Sequence, residues 1–594
     1  MKKIDKNIKK NENIEKKLEI IYFLPLIILI AIIPLIVYLK KVPLTGARLD
    51  YWTGEKQNWD FFSYYKSVWL QILVGISFIL FVLRKKTLQK SFYYYPIMGY
   101  LGCVILSTLA SKYKQVSLYG FVDRYEGVLV LIGYMFIIII AMNLPKNKLL
   151  TNILFGGVFF SGIIISIIGI AQFTGHDFFQ TMFGKRLILP SSLHHLADSL
   201  EFRFGKNISY STLYNPNYVG SYTAMLFPMT LAMFILKKGR NWKIGLGLIN
   251  LVFFGAWLAS ASRAGYVGAG VSIVIMIILL INPIIKNWKY ILIQIIGYGL
   301  VFIMLAISSE GALGREFYSL FYEAKNAVEE NEEISTLRDI YINKERNKLT
   351  VIDENNTELN IEMKNGSVNF LDRNNKKVEI KKSDKLITFT DKKYIDYSLE
   401  NLQTNIFRLK YKGIILNLYF GTDGKIQTFN SRGKLKEIKD IPYLKALKGK
   451  EKVFSHRFYI WSRSIPMLKN TLIWGYGPDT YAIVFPQNDY FGKLITFGTV
   501  GKIVDKPHNL YLQIAINTGI LSLISLLIIF IKVIIDNIRK YSFKKEYEYE
   551  DIIKVSAFLA VIGYLIAGLA NDSVVSVAPI FWMLVGISAK QYSE

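Results

Sequence analysis

The stretch LLTNILFGGVFFSGIIISIIGIAQ, residues 149–172, decides the fold class. It runs for 24 residues without an Asp, Glu, Lys or Arg, and a helix needs about 20 apolar residues to cross the hydrocarbon core of a bilayer. On one flank lie Lys146 and Lys148, and on the other a polar segment holding His176, His194 and His195. Eleven further apolar runs lie outward of it, near residues 19–39, 67–83, 92–110, 127–143, 218–236, 244–261, 265–282, 290–308, 509–531, 553–569 and 574–589. Basic clusters recur between them: the Lys-rich start up to Lys17, Arg84-Lys85-Lys86, Lys237-Lys238-Arg240, Lys286 with Lys289, and Arg539-Lys540 with Lys544-Lys545. Twelve crossings with both termini inside put every cluster on the cytoplasmic side, as the positive-inside rule requires. Shifting the count by one destroys that agreement. The expectation is an all-α polytopic membrane protein with about 12 transmembrane helices.

Composition agrees with that class. Of 594 residues, 52% are hydrophobic and 20% charged, and the mean hydropathy of +0.29 excludes an ordinary soluble enzyme. The net charge of +27 is no nucleic-acid signal, because residues 309–455 hold 27 Lys+Arg against 23 Asp+Glu and the excess sits in the short clusters between apolar runs. Cys103 is the only cysteine, so an internal disulfide and a cysteine-ligated metal cluster are both excluded. The Lys-rich start looks like the charged region of a signal peptide, but the run that follows is long enough to span and lacks a small-residue cleavage site. It is read as a retained first helix.

Three parts follow: residues 1–308 with helices 1 to 9, an extracytoplasmic region over 309–507, and residues 508–594 with helices 10 to 12. The middle part opens on an acidic helical stretch around Glu329-Glu330-Asn331-Glu332-Glu333 and then changes to period-two alternation at Leu359, Ile361 and Met363, the turn pair Asn365-Gly366, Val368 and Phe370. Further strands are expected at 386–390, 407–420 and 425–429, with Gly421-Thr422-Asp423-Gly424 as a turn. The expectation is an inserted extracytoplasmic β-rich domain at about 348–440.

On this topology the polar motifs share the outer face: Gly120 to Gly127 (GFVDRYEG), Asn215-Pro216-Asn217-Tyr218, Ser260 to Gly265 (SASRAG), His456 to Trp461 (HRFYIW), Gly475-Tyr476-Gly477-Pro478-Asp479, Pro507 to Gln513 (PHNLYLQ) and Asn571-Asp572-Ser573. Taken in this order and spacing, the NPNY element, the SRAG turn, the R-x3-W…GYGPDTY…FP stretch and the HNLYLQ…NTG run resemble the O-antigen ligase and polysaccharide polymerase superfamily of bacterial membrane glycosyltransferases. The likeness covers the membrane part from about residue 120 onward, and the β-rich insert departs from members whose outer loop is mainly helical. The resemblance implies an undecaprenyl-diphosphate-linked glycan donor and metal-independent transfer to an acceptor hydroxyl on the outer face of the cytoplasmic membrane. It implies a catalytic role for His508 and places Asn215, Asn217, Asn509 and Gln513 in the substrate pocket.

The residues can be weighed without the family. Departure of a lipid diphosphate needs its charge held by a metal or by fixed cations. The outer motifs offer Arg124, Arg263 and Arg457, and guanidinium forks bind phosphate oxygens bidentately; the competing reading is contact with lipid headgroups. Arg263 fits that reading least, because its turn is too short to need a charge. A histidine at the head of a helix suits a general base, and His508 heads the tenth run; packing at the helix start is its alternative. Adjacent His194 and His195 point apart and lack a Cys or carboxylate at ligand spacing, so no metal and no cofactor are expected. The 329–333 acids read as a solvated helix face, and Asn215 and Asn217 read equally as helix caps. Tyr125, Tyr218, Tyr459 and Trp461 read as an interfacial aromatic belt before they read as sugar platforms. Gly475, Gly477 and Pro478 form a turn. The expected activity is ligase-like glycan transfer in cell-envelope polysaccharide assembly, with glycan, lipid or protein as acceptor. The alternatives are a repeat-unit polymerase of the same superfamily and a non-catalytic lipid-glycan flippase.

Overall fold

The computed structural model describes residues 2–52, 56–202, 204–316, 318–319, 337–364, 367–430 and 432–590. The acidic opening at 329–333 and the Asn365-Gly366 turn lie outside the described residues. In chain order the helices that frame the site are α1 (Lys2–Ile32), α2 (Tyr64–Leu83), α3 (Tyr94–Ala110), α4 (Val128–Met142), α5 (Lys148–Phe173), α6 (Pro216–Leu236), α7 (Arg240–Ala259), α8 (Arg263–Leu279), α9 (Trp288–Ser308), α10 (Arg457–Ser464), α11 (Tyr490–Phe497), α12 (Leu510–Thr518), α13 (Ile520–Tyr541), α14 (Tyr549–Ala567) and α15 (Ala578–Ala589). Among the described residues, seven helices are long and apolar enough to cross a membrane: Lys17–Leu35, α2, α5, α6, α7, α9 and α13. α3, α4, α8 and α15 are apolar but shorter, and α14 carries Glu550, Asp551 and Lys554 in its first two turns.

Buried along almost all its length, α6 is the axis of the bundle and packs against α7, α8 and α14. Missing side chains make that possible. A Cβ on Gly265 would fall 2.8 Å from the Gly220 backbone, and one on Gly220 would fall 2.2 Å from Ser262 Cβ, so α8 and α6 meet backbone to backbone, as small residues allow between apolar helices. This contact joins the SRAG turn to the NPNY element.

The run 509–531 is not one helix. It breaks at Gly519, where φ is +104°, into the nine-residue α12 and the 22-residue α13. Chain from the 471–477 segment seals the break: Tyr476 N–H donates to Ile516 C=O at 3.0 Å, Gly477 N–H to Asn517 C=O at 2.8 Å, and Ile520 N–H to Thr471 C=O at 2.8 Å. His508 therefore heads α12, and α13 is the helix long enough to span.

Strands β1 (Lys40–Pro43) and β2 (Gln57–Asp60) form a small ribbon before α2. The large insert has two antiparallel meanders. The first orders β3 (Leu337–Ile342), β4 (Lys348–Asp353), β5 (Glu358–Lys364) and β6 (Ser367–Leu371) side by side. The second runs from β7 (Ile380–Ser383) through β8 (Leu386–Phe389), β9 (Tyr397–Gln403), β10 (Ile406–Tyr411), β11 (Ile414–Phe420) and β12 (Ile426–Phe429) to β13 (Leu435–Glu437). The run 407–420, read as one strand, is the hairpin β10–β11, turned by Lys412 and Gly413 at φ +41° and +84°, the two positive values a type I′ turn needs. Leu349, Val351 and Leu359 of one sheet share a core with Leu409, Leu416 and Leu418 of the other, and Leu494 of α11 joins them. Arg432 Nη2 donates to Leu49 C=O at 2.7 Å and Trp52 C=O at 2.9 Å, tying the sheets to the 46–52 segment.

Candidate active site

Capping bonds assemble the site. Asn215 caps α6 by accepting from Asn217 N–H at 2.9 Å, with Pro216 at the first helical position where its missing N–H costs nothing. Ser262 caps α8 by accepting from Gly265 N–H, and its hydroxyl lies 3.2 Å from Asn217 Oδ1, to which it donates. Asn571 hangs the 571–573 turn over this junction by donating to Asn217 C=O at 3.1 Å and Ser221 Oγ at 2.8 Å. Asn509 caps α12, accepting from Leu512 N–H and donating to Leu569 C=O at 2.8 Å. Trp461 of α10 fixes the preceding residue by donating from Nε1 to Pro507 C=O at 2.9 Å. Held from both sides, His508 takes a left-handed backbone at φ +48° and sets Nδ1 3.1 Å from Asp572 Oδ2.

Charge of both signs surrounds that pair. Lys506 Nζ donates to Tyr218 Oη at 2.7 Å and sits 3.7 Å from Asp505. Burial pushes the Asp572 carboxyl up, but the His508 imidazole and the Lys506 ammonium more than offset it, leaving Asp572 below the usual carboxylate range. Asp505 is likewise held low against its burial by Lys506, Arg124 and His508. Burial lowers the Arg457 guanidinium, with Asp572 opposing that and Arg263 adding to it, so the first residues of α8 and α10 lie within electrostatic reach of each other. Buried polar atoms here without a hydrogen-bond partner among the described residues include Arg457 Nε, Arg124 Nη2 and both carboxylate oxygens of Asp572, of which Oδ2 lies at ion-pair distance from His508. Buried polar atoms are nearly always satisfied, so such a cluster marks where a ligand supplies the missing partners.

The sequence candidates divide. His508 contacts Asp572, Arg457 feels the charges of Asp572 and Arg263, and Asn217 links Ser262, next to Arg263, to Asn571, next to Asp572. Arg124 does not stand free for phosphate: its side chain is 3% exposed, Nε donates to Asp479 Oδ1 at 2.6 Å, and Nη1 bonds Asp505 C=O. Asn215 and Asn509 spend their side-chain oxygens on caps. Gln513 accepts from Ser573 N–H at 2.9 Å and faces Glu126 Oε2 at 3.5 Å, linking α12 to the last turn. His456 stacks on Phe497 at 5.0 Å, and His194 meets Leu189 C=O. No group of three or more His, Cys, Asp or Glu among the described residues is arranged to hold a metal ion. Sequence reasoning passed over Lys506 and Asp505, although both lie just before the PHN motif's histidine, and named Asp572 only within the Asn571-Asp572-Ser573 turn.

A family model described as O-antigen ligase matches residues 405–527. That segment of the chain is similar to the O-antigen ligase family. Searches of curated proteins and of solved structures returned no match. The matched segment begins in the turn between β9 and β10 and runs into α13, so it contains Arg457, Asp479, Lys506 and His508. Arg263 and Asp572 come to the same site from outside it. Family and apolar helices together make this a membrane protein of polysaccharide biosynthesis.

Proposed function

We propose that the chain transfers glycan from an undecaprenyl-diphosphate donor to an acceptor hydroxyl on the outer face of the bacterial cytoplasmic membrane, with ligation as its role. The observation that carries this reading is the His508–Asp572 contact beside the unpartnered nitrogen of Arg457. Asp572 holds the Nδ1–H side of the imidazole, leaving Nε2 to take the acceptor proton. The acceptor oxygen bonds to the donor's anomeric carbon as the bond from that carbon to the phosphate oxygen breaks. The electron pair leaves on the lipid diphosphate, whose charge falls to Arg457, Arg263 and Lys506. Arg124 is a positioning residue in this scheme, keeping Asp479 and Asp505 neutralised. Asp479 and Asp505 face cations and Asp572 faces His508, which supports a metal-independent reaction.

The decisive experiment reconstitutes purified protein in liposomes with diphosphate-linked oligosaccharide and acceptor. Polyprenyl diphosphate is expected to appear with transferred glycan and to be unaffected by chelators. Movement of intact donor across the bilayer with no diphosphate released would instead identify a carrier, and products lengthening by repeat units on the lipid would identify a polymerase.

Twelve crossings with both termini in the cytoplasm belong to the same proposal. Cysteines placed at exposed Ser191 and Asp384 are expected to react with an impermeant thiol reagent on intact cells, and one at exposed Asn241 is expected to stay unlabelled. Asn571 is no use as a reporter, since it is 2% exposed. Surface labelling at Asn241 would separate the motifs onto two faces and end this topology.

A further inference from the structure

A cleft of about 760 Å³ opens between the edge strand β3, the 438–443 segment after β13, and α11. Its charges are matched internally. Arg463 of α10 pairs with Asp489 Oδ2 at 2.9 Å and Glu451 Oε1 at 3.5 Å, and Lys448 Nζ lies 3.0 Å from Asp339. A lining neutralised in this way has no net attraction for a polyanion or a polycation. It also presents aromatic surface: Tyr341 on β3 is 46% exposed, and half-buried Tyr443 lines the cleft with the Arg463 guanidinium 5.1 Å from its ring. Fixed donors and acceptors around exposed aromatic faces suit a ligand with hydroxyls at its rim and C–H groups on its faces.

Position ties the cleft to the candidate active site. α10 begins at Arg457, beside Asp572, and carries Arg463 to the cleft. The six-residue separation is about 9 Å along a helix at 1.5 Å per residue, a distance that a short oligosaccharide spans. We propose that this cleft binds the glycan chain itself, holding saccharide units next to the ones that react at His508. The proposal rests on the transfer reading above. A glycan reaches the site on the lipid donor or as part of the acceptor, and the chemistry of the cleft is the same for both.

The test uses full-length protein in liposomes, with donor and acceptor extracted from the producing cells, and measures KM for each separately. Tyr341 is exposed, so Tyr341→Ala is expected to fold normally and to raise one KM by about fivefold or more, with kcat at saturation within about twofold of native. Tyr341→Trp, which restores an aromatic face, is expected to bring that KM back. A rise confined to the acceptor assigns the cleft to the acceptor glycan, and one confined to the donor assigns it to the donor glycan; either supports the proposal. An active enzyme whose two KM values both stay native in Tyr341→Ala overturns the cleft proposal alone. A native protein that releases no polyprenyl diphosphate overturns the transfer reading, and this proposal with it.

Discussion

Alanine at His508 is expected to slow glycan transfer by about 10²- to 10⁴-fold, the usual contribution of a positioned general base, while membrane insertion and donor binding persist. The local fold does not need the imidazole, because the Asn509 cap and the Trp461 bond to Pro507 C=O hold the segment. Its side chain is 29% exposed and its Nδ1 faces Asp572 at 3.1 Å, so the opposite nitrogen is the one free to meet substrate. Initial rates, with donor binding measured in parallel, check both points. Native transfer by the variant would make His508 a packing residue. The base would then have to be Asp572, since His456 is stacked on Phe497 and Asp479 is taken up by Arg124.

How much of this was readable in the sequence depends on the range of the interaction. Helices α5 and α6 follow from local apolar composition, and the convergence of Arg263 with Asn217 follows from Gly220 and Gly265, which hydropathy records only as small residues. The split of α12 from α13 was hidden because 509–531 is apolar on both sides of Gly519; the backbone that satisfies the break comes from residues 471–477 of another segment. Lys412-Gly413 did carry a hairpin signal, lost inside an alternating run that continues on both sides. Arg124 shows the firmest limit. From sequence it is a boundary arginine like the other two, and its partner Asp479 lies 355 positions away. Only the folded chain tells a committed guanidinium from an available one. Lys506 was missed for the opposite reason: it sits beside the motif, and attention to histidine and arginine left an adjacent lysine unweighed.

That distinction sets the second large effect, at Arg457. Lysine there is expected to cut transfer roughly 10- to 150-fold, corresponding to about 1.5–3 kcal/mol for losing a hydrogen bond to a charged partner. Arg457 Nη1 donates to Phe454 C=O at 3.3 Å, and buried Nε has no partner among the described residues. An ammonium keeps the charge but cannot reproduce a planar fork on two phosphate oxygens. Because Arg457 pairs with no carboxylate at ion-pair distance among the described residues, the substitution should leave thermal unfolding in detergent close to native. Arg124→Met is expected to behave differently. Buried Asp479 would lose its cationic partner, a change that costs about 3–5 kcal/mol in such pairs, so melting should fall along with activity. Rates and melting temperatures of the two variants, measured together, separate a phosphate ligand from a structural cation. If Arg457→Lys keeps the native rate, or if the native enzyme requires magnesium, the charge of the leaving diphosphate is held by other groups.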